Sequence, residues 1–394
     1  MTLRRSSPSV RRPRGAPERD LSVEKLVAGG DGLAFLDGKA VFVPGVLPGE
    51  TVRVGILESR RDFDRAELLD VRTASPHRVS PACPLAGICG GCDWMHIAHE
   101  SQLECKREIL RESLRRAGRV ECGEVGIEQG PPFLYRNRAQ IHRDPEGRLG
   151  YKGARSDRIV PVATCPVVAA PIDGLLRAQG AAGRDSHVPN GLDRFVVFSN
   201  GQWIACEGLD DDRELSVQVL GKPIRFSVGC FFQGNLAVLD RMVSFALDGL
   251  AGDTAADLYC GVGLFGALLS ERFRKIVAVE SGSLNSSFAR RNIRGPESEF
   301  FPMTVEQWIE SGSARERPDA VVVDPPRAGL GPEVRQRLCA LKPPRLAYVS
   351  CNPVTLARDL GHLVRAGYAL EGLRIFDFYP QTSHIETVAR LSLS

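Results

Sequence analysis

No stretch of the 394 residues stays apolar for the roughly 18 positions that a membrane-spanning helix requires, which excludes an anchor of that kind. The opening MTLRRSSPSVRRPRGAPERD lacks the hydrophobic stretch of a secretory signal, so a cytoplasmic protein with no membrane partner is expected. Internal repeats are absent too, which sets solenoids aside. Charge of either sign is not in large excess: 51 Lys and Arg against 48 Asp and Glu leave only +3. What is present in quantity is apolar residue, 43% of the chain, enough for two or three domains. Eleven cysteines are also present. In a reducing compartment they argue poorly for disulfides, and the clustered Cys83, Cys89 and Cys92 in CPLAGICGGCDW read as metal ligands or reactive thiols.

The small net charge is unevenly placed. Residues 1–18 set Arg4, Arg5, Arg11, Arg12 and Arg14 against Glu18 among Ser and Pro, the composition of a disordered basic arm. Such an arm suits a phosphate backbone, and suits a solvated tail without a partner equally well. Residues 19–75 alternate in short period-two runs such as AVFV and TVRVGIL, with turns at Gly29–Gly32 and Asp37–Gly38, and predict a small β-barrel of the oligonucleotide-binding type. Residues 76–225 form a central α+β region. It holds the cysteines, a basic helix in HESQLECKREILRESLRRAG that stops near Gly118, and strands in which Tyr135 and Tyr151 alternate with cations. Aromatics among cations on a sheet suit single-stranded RNA, whose bases stack while its phosphates are neutralised.

From residue 226 to 394 strands alternate with helices. TAADLYC, KIVAVE, PDAVVVDPP and RLAYVSC are short apolar runs ending in turns, with helical patterns such as PVTLARDLGHLVRAG between them. This α/β alternation predicts a doubly wound, Rossmann-like parallel sheet, and LRIFDFYP followed by HIETVARLSL predicts an antiparallel edge.

DLYCGVGLFG places Gly261, Gly263 and Gly266 between a strand and a helix, and Glu280 ends the next strand. A glycine turn followed by an acid serves a nicotinamide dinucleotide or S-adenosylmethionine equally well. VVVDPPRAGL separates the two. Asp324 followed by two prolines at a strand end fits methyltransferases acting on nucleobases, and Arg327 stands where enzymes of exocyclic amines place a stacking aromatic. VSCNP then sets Cys351 at the end of the following strand. A lone cysteine is more often a small buried hydrophobe, but a thiolate is what pyrimidine C5 chemistry demands. C5 of uracil attacks a methyl donor only after a nucleophile has added at C6, and the adduct must then lose its C5 proton to a base. Glu386 in SHIETVARL is the candidate base, with His384 as a competitor.

These residues converge on a resemblance. From about residue 20 to the C-terminus the chain resembles the RNA (uracil-5-)-methyltransferases of bacterial tRNA and 23S rRNA: the barrel looks like a TRAM domain, and FFQGN, LYCGVG, DPPRAGL, SCNPVTLARDL and HIETV occur in the family's order. The resemblance implies Cys351 as nucleophile, Glu386 as base, and Gln233, Tyr259, Gly261, Gly263, Glu280 and Asp324 around S-adenosylmethionine. It implies an RNA partner, 23S rRNA with tRNA as the alternative, and a monomer. Leu264 departs from the family's usual Asn and removes one expected polar contact. The resemblance also implies a structural 4Fe-4S cluster on Cys83, Cys89, Cys92 and Cys165. Zinc on Cys83, Cys89, Cys92 and His96 is the local alternative. The remaining cysteines read as buried or incidental. Three rivals stand beside this reading: cytosine-5 methylation, which would favour a second cysteine near Asp324; an inactive RNA-binding protein, against which Cys351 and Glu386 argue; and an iron–sulfur oxidoreductase.

Overall fold

The structure, a computed structural model, describes residues 18–178, 188–189, 191–295, 297–314 and 316–393; of the basic arm expected at 1–18, only Glu18 lies among them. Among the described residues no helix is long and apolar enough to cross a membrane.

Five strands, β1 (Glu18–Leu26), β2 (Gly32–Leu36), β3 (Lys39–Val43), β4 (Thr51–Ser59) and β5 (Phe63–Thr73), close into a barrel in the order β1-β2-β3-β5-β4. Alternation makes the barrel: Val52 and Val54 of β4 and Val41 and Val43 of β3 point inward with Leu21, Val23 and Ala34. Glu50 is fully buried beside it, and there Arg78 and the amides of Leu47 and Ser75 satisfy its carboxylate.

The chain then forms α1 (His99–Ser113), which runs on into a π-helical turn at Leu114–Gly118, and β6 (Gly126–Glu128). A second sheet follows from β7 (Arg138–Arg143), β8 (Leu149–Lys152), β9 (Ile159–Pro161), β10 (Arg194–Ser199) and β11 (Ile204–Cys206), ordered β11-β10-β7-β8-β9, with α2 (Ala170–Ala178) packed on β10. A hairpin, β12 (Leu215–Val219) and β13 (Lys222–Phe226), leads to the last region.

That region comprises α3 (Leu239–Leu247), β14 (Thr254–Leu258), α4 (Leu264–Leu269), β15 (Lys275–Val279), α5 (Ser283–Asn292), β16 (Glu297–Phe301), α6 (Val305–Glu310), β17 (Ala320–Val323), α7 (Pro332–Leu341), β18 (Arg345–Ser350), α8 (Pro353–Arg365), β19 (Tyr368–Phe376) and β20 (Glu386–Leu393). The sheet order is β16-β15-β14-β17-β18-β20-β19-β6. Its central strands are apolar on both faces because both are covered: Val322 and Ala347 join one core, Val321, Val323 and Tyr348 the other. β14 pairs with β15 on one side and β17 on the other, so the crevice above their carboxyl ends is the switch point where such folds bind ligands.

The antiparallel pair β19–β20 lies beside β18 as expected, but it does not end the sheet. β6 pairs in parallel with β19 through Gly126–Arg374, and α1 packs against α8. Three residues are too few for a strand signal, and only the neighbouring β19 edge makes them one.

The loop from Asp377 to Ile385, which delivers Glu386, is held largely by residues of the middle of the chain. Asp377 receives His99 Nε2 at 2.8 Å and Lys106 Nζ at 2.7 Å, and Lys106 also reaches the Tyr379 carbonyl. Burial pushes the Asp377 carboxyl up, but His99 and Lys106 together hold it below its ordinary value. Gln102 and Gln381 bond each other reciprocally, Trp94 and Ser383 donate to Gln381 and Asp93, and Tyr135 donates to the Pro380 carbonyl. A charged, fully hydrogen-bonded anchor of this kind fixes one loop geometry, because any slip strands a buried ion.

Candidate active site

The glycine turn is built by close approach. A Cβ on Gly263 would sit 3.0 Å from the Ala289 backbone, and one on Gly266 would sit 2.6 Å from Ile293, so both glycines let α4 pack on α5. Gly261, with φ of +55°, faces open space instead. Glu280 stands at the end of β15, where its carboxylate accepts the amides of Gly261 at 3.1 Å and Gly282 at 2.6 Å. Tyr259 also has positive φ, and its hydroxyl donates to Glu306. Leu264 opens α4, is nearly buried and packs into the apolar core beside α3 and α5.

On the other side of the switch point, Asp324 follows β17 and Cys351 follows β18. The Asn352 side chain caps α8 by accepting the Val354 amide, while its Nδ2 donates to the Arg327 carbonyl at 2.9 Å. Thr355 Oγ1 donates to the same carbonyl at 3.2 Å, so the DPPR loop is tied to the helix that starts beside the cysteine. Glu386 is the first residue of β20 and only 5% exposed.

Gln233, Tyr259, Gly261, Glu280, Asp324, Cys351 and Glu386 all line one cavity of about 1110 Å³; Gly263 lies behind it against α5. Arg327, Tyr379 and His384 line it as well, and Arg327 bonds His384 Nδ1 at 3.4 Å. Burial pushes Asp324 up to about 7. Burial also lifts Glu386 well above the carboxylate range, with the Asp324 charge adding and Arg327 opposing. The Cys351 thiol goes up to about 11 through burial and the neighbouring Glu386, against Arg327. Two acids and a thiol that resist ionisation, with one arginine opposing, form a site for proton transfer away from bulk water. In the unliganded protein, alkylation of Cys351 by iodoacetamide is therefore expected to rise about ten-fold per pH unit from pH 7 towards 10, because only the thiolate reacts. A rate that levels off by pH 8 would contradict this.

The clustered cysteines line a second, small cavity of about 40 Å³. Cys83, Cys89, Cys92 and Cys165 reach it together with Arg136 and Tyr151. Burial pushes Cys92 up to about 12, with the other three thiols adding. His96 does not line this cavity. Its imidazole is buried among Val46, Arg78, Glu50 and Asp93, and burial with the Arg78 charge lowers it to about 4. The mixed Cys–His zinc set is therefore not assembled. Among the described residues no group of three His, Cys, Asp or Glu side chains could hold a single metal ion.

Sequence reasoning misplaced one aromatic and missed others. Tyr135 is 2% exposed and bonded to Pro380, so it offers no stacking face; Tyr151 is partly buried, with its hydroxyl enclosed and without a partner. The aromatic that does is Phe231, 58% exposed at the cavity with the Arg138 guanidinium 5.7 Å from its ring centre. Its neighbour Phe232 is buried, stacked on Phe226 at 4.3 Å. The doubled Phe in FFQGN does not say which ring faces out.

Comparison with known proteins places these features in one group. The profile of the tRNA (uracil-5-)-methyltransferase family matches residues 195–300 and 315–393, and that of the TRAM domain matches 17–69. An uncharacterized RNA methyltransferase of Gloeobacter violaceus is 35% identical over 94% of this chain and 96% of its own length. The 23S rRNA (uracil(1939)-C(5))-methyltransferase RlmD of Pseudomonas fluorescens is 33% identical over 97% of this chain and 93% of its own. In fold, the chain is similar to the Pyrococcus abyssi tRNA (uracil-54, C5)-methyltransferase solved with S-adenosyl-L-homocysteine, with a TM-score of 0.73 at 23% identity, covering 95% of this chain and all of the other.

Proposed function

This chain belongs to the RNA (uracil-5-)-methyltransferase family, and we propose that it methylates C5 of the 23S rRNA uridine equivalent to position 1939 through a covalent adduct of Cys351. The observation that carries the mechanism is the convergence of Cys351, Glu386, Asp324 and Arg327 on one cavity that also holds the glycine turn. Relatives at 32–33% identity named for 23S rRNA support the choice of RNA.

S-adenosylmethionine supplies the electrophilic methyl group. The residues fit it: Gly261 leaves open space beside the strand end, Glu280 presents a fixed carboxylate, and Gln233, buried to 7% exposure, offers an amide that no protein group occupies among the described residues. With Gly263 shaping the turn, Tyr259, Glu280, Asp324 and Gln233 would hold it.

In the chemical step the Cys351 thiolate adds to C6 and the C5–C6 electron pair moves to form an enolate at O4. C5 then attacks the donor's methyl carbon, the bond from that carbon to the sulfonium sulfur breaks, and S-adenosylhomocysteine would be the leaving group. Glu386 removes the C5 proton, the double bond re-forms and the C6–S bond breaks. Arg327 favours the ionised forms of both Cys351 and Glu386, against burial. The target base must leave its stack to reach this cavity.

We infer that Cys83, Cys89, Cys92 and Cys165, which line the small cavity together, would hold a 4Fe-4S cluster there. Four cysteines line one space, and the Tyr151 hydroxyl beside them is buried without a protein partner. The cluster would fix the cysteine loop and needs no part in the methyl transfer.

The test is methyl transfer from labelled S-adenosylmethionine. A 23S rRNA fragment containing the uridine equivalent to 1939 is expected to gain 5-methyluridine at that position, and bulk tRNA is not. Labelling of tRNA alone would transfer the assignment to tRNA; labelling of cytidine would end the uracil reading.

A further inference from the structure

Arg136 is shared by both cavities: it lines the large one with Tyr379 and His384 and the small one with the four cysteines. Its backbone is locked on both sides. The amide donates to Val167 at 2.8 Å, the carbonyl accepts from Ala169 at 2.9 Å, and the residue bridges Val168 on one side and Asn235 on the other. The first connection leads to Cys165 and the second to Gln233. The side chain is held at one point only, where Nε donates to the Arg138 carbonyl at 3.2 Å. Among the described residues neither terminal amino group of the guanidinium has a protein partner. Among the described residues no carboxylate hydrogen-bonds to it, while its charge is felt by the thiols of Cys89, Cys92 and Cys165.

A guanidinium does not deprotonate in a protein, so this is a half-buried cation that no acceptor among the described residues neutralises at its terminal amino groups. A cation set between two cavities with free N–H groups is a ready partner for an anion in either. Two cavities meet at it, and each must be asked for that anion. On one side the described lining holds no carboxylate, only the four cysteines and whatever they hold. On the other the cavity opens towards Phe231 and Arg138, where an RNA strand would enter.

Resting on the RNA methyltransferase and iron–sulfur readings above, we infer that Arg136 is a positioning residue that couples the two sites: the anionic thiolate-held cluster orients its guanidinium from the small cavity, and its free N–H groups grip an RNA phosphate beside the target uridine in the large one. The cysteine site thereby sets the geometry of an RNA contact without entering the reaction. A planar fork with several donors serves two anions at once, which a lysine ammonium does less well.

The test uses Arg136→Gln in the holoprotein, with one readout for each face. A labelled 23S rRNA fragment containing the uridine equivalent to 1939 is expected to bind roughly ten-fold more weakly, with the slope of log affinity against log salt reduced by about one, while S-adenosylhomocysteine binding is unchanged. The midpoint potential of the cluster is expected to fall, because the reduced, more negative cluster loses a neighbouring cation. Arg136→Lys should retain the salt slope and most of the potential, and it serves alone if the Gln variant does not fold. An unchanged salt slope in Arg136→Gln, or its loss in Arg136→Lys, would overturn the RNA contact. An unchanged potential would overturn the coupling. A wild-type protein that methylates RNA yet carries no iron would overturn the coupling through the cluster reading itself, which iron analysis distinguishes from a failure of Arg136.

Discussion

Glu386→Gln is expected to leave RNA covalently attached to the protein. With S-adenosylmethionine and substrate RNA present, the variant should form a protein–RNA species that survives denaturation and carries the labelled methyl group, while release of 5-methyluridine falls about 10²- to 10⁴-fold. The reason lies in the order of bonds. In the proposed mechanism Cys351 addition and methylation precede proton loss, so removing the base would stop the reaction after both. Folding should survive the substitution, because burial already favours the neutral form of Glu386 and the amide has the same shape. The wild-type rate of adduct resolution should rise with pH, since a base with a raised pKa becomes competent only above it, and the Gln variant should lose that dependence. Free release of product from Glu386→Gln would assign the proton to another group, with His384, in the same cavity, as the first to examine.

Cys351→Ala should have the larger effect. Without the thiolate no enolate forms, and C5 of uracil is too weak a nucleophile to take a methyl group unaided, so methylation should drop below detection. RNA and S-adenosylhomocysteine affinities should be retained: the Cys351 side chain holds no other element in place, since the loop ties run through Asn352 and Thr355. The double variant with Glu386→Gln should form no adduct, which places the cysteine before the glutamate. Methylated RNA from Cys351→Ala would refute covalent catalysis, whereas loss of RNA binding would show the residue to be structural.

The parts of the site that were legible in the sequence are those where local backbone and chemistry coincide. The glycine turn could be read because only glycine permits the approach of α4 to α5, and that demand is written at a fixed spacing after a strand. Asp324 and Cys351 could be read because each ends a short apolar run, and in a parallel sheet all such ends face one crevice. Tyr135 was misread because alternation with cations says which residues share a face of a strand, not whether another layer covers it. Pro380, 245 residues further on, covers Tyr135. Arg136 could not be singled out at all, since in YRNRAQIHR it is one of three arginines, and only the meeting of two cavities distinguishes it.

The sequence by itself determined the class of the protein: a small barrel, a middle region with clustered cysteines, and an α/β unit whose strand ends carry the groups that pyrimidine C5 chemistry requires. These follow from periodicity and turn chemistry, which act over a few residues. The tertiary structure alone decided that β6 extends the large sheet, that His96 stands apart from the cysteines while Cys165 joins them, and that the loop before Glu386 is anchored by Lys106, His99 and Gln102. These depend on contacts between residues far apart in the chain. Their energy comes from burying charges and hydrogen-bonding groups that find partners only after the chain has folded.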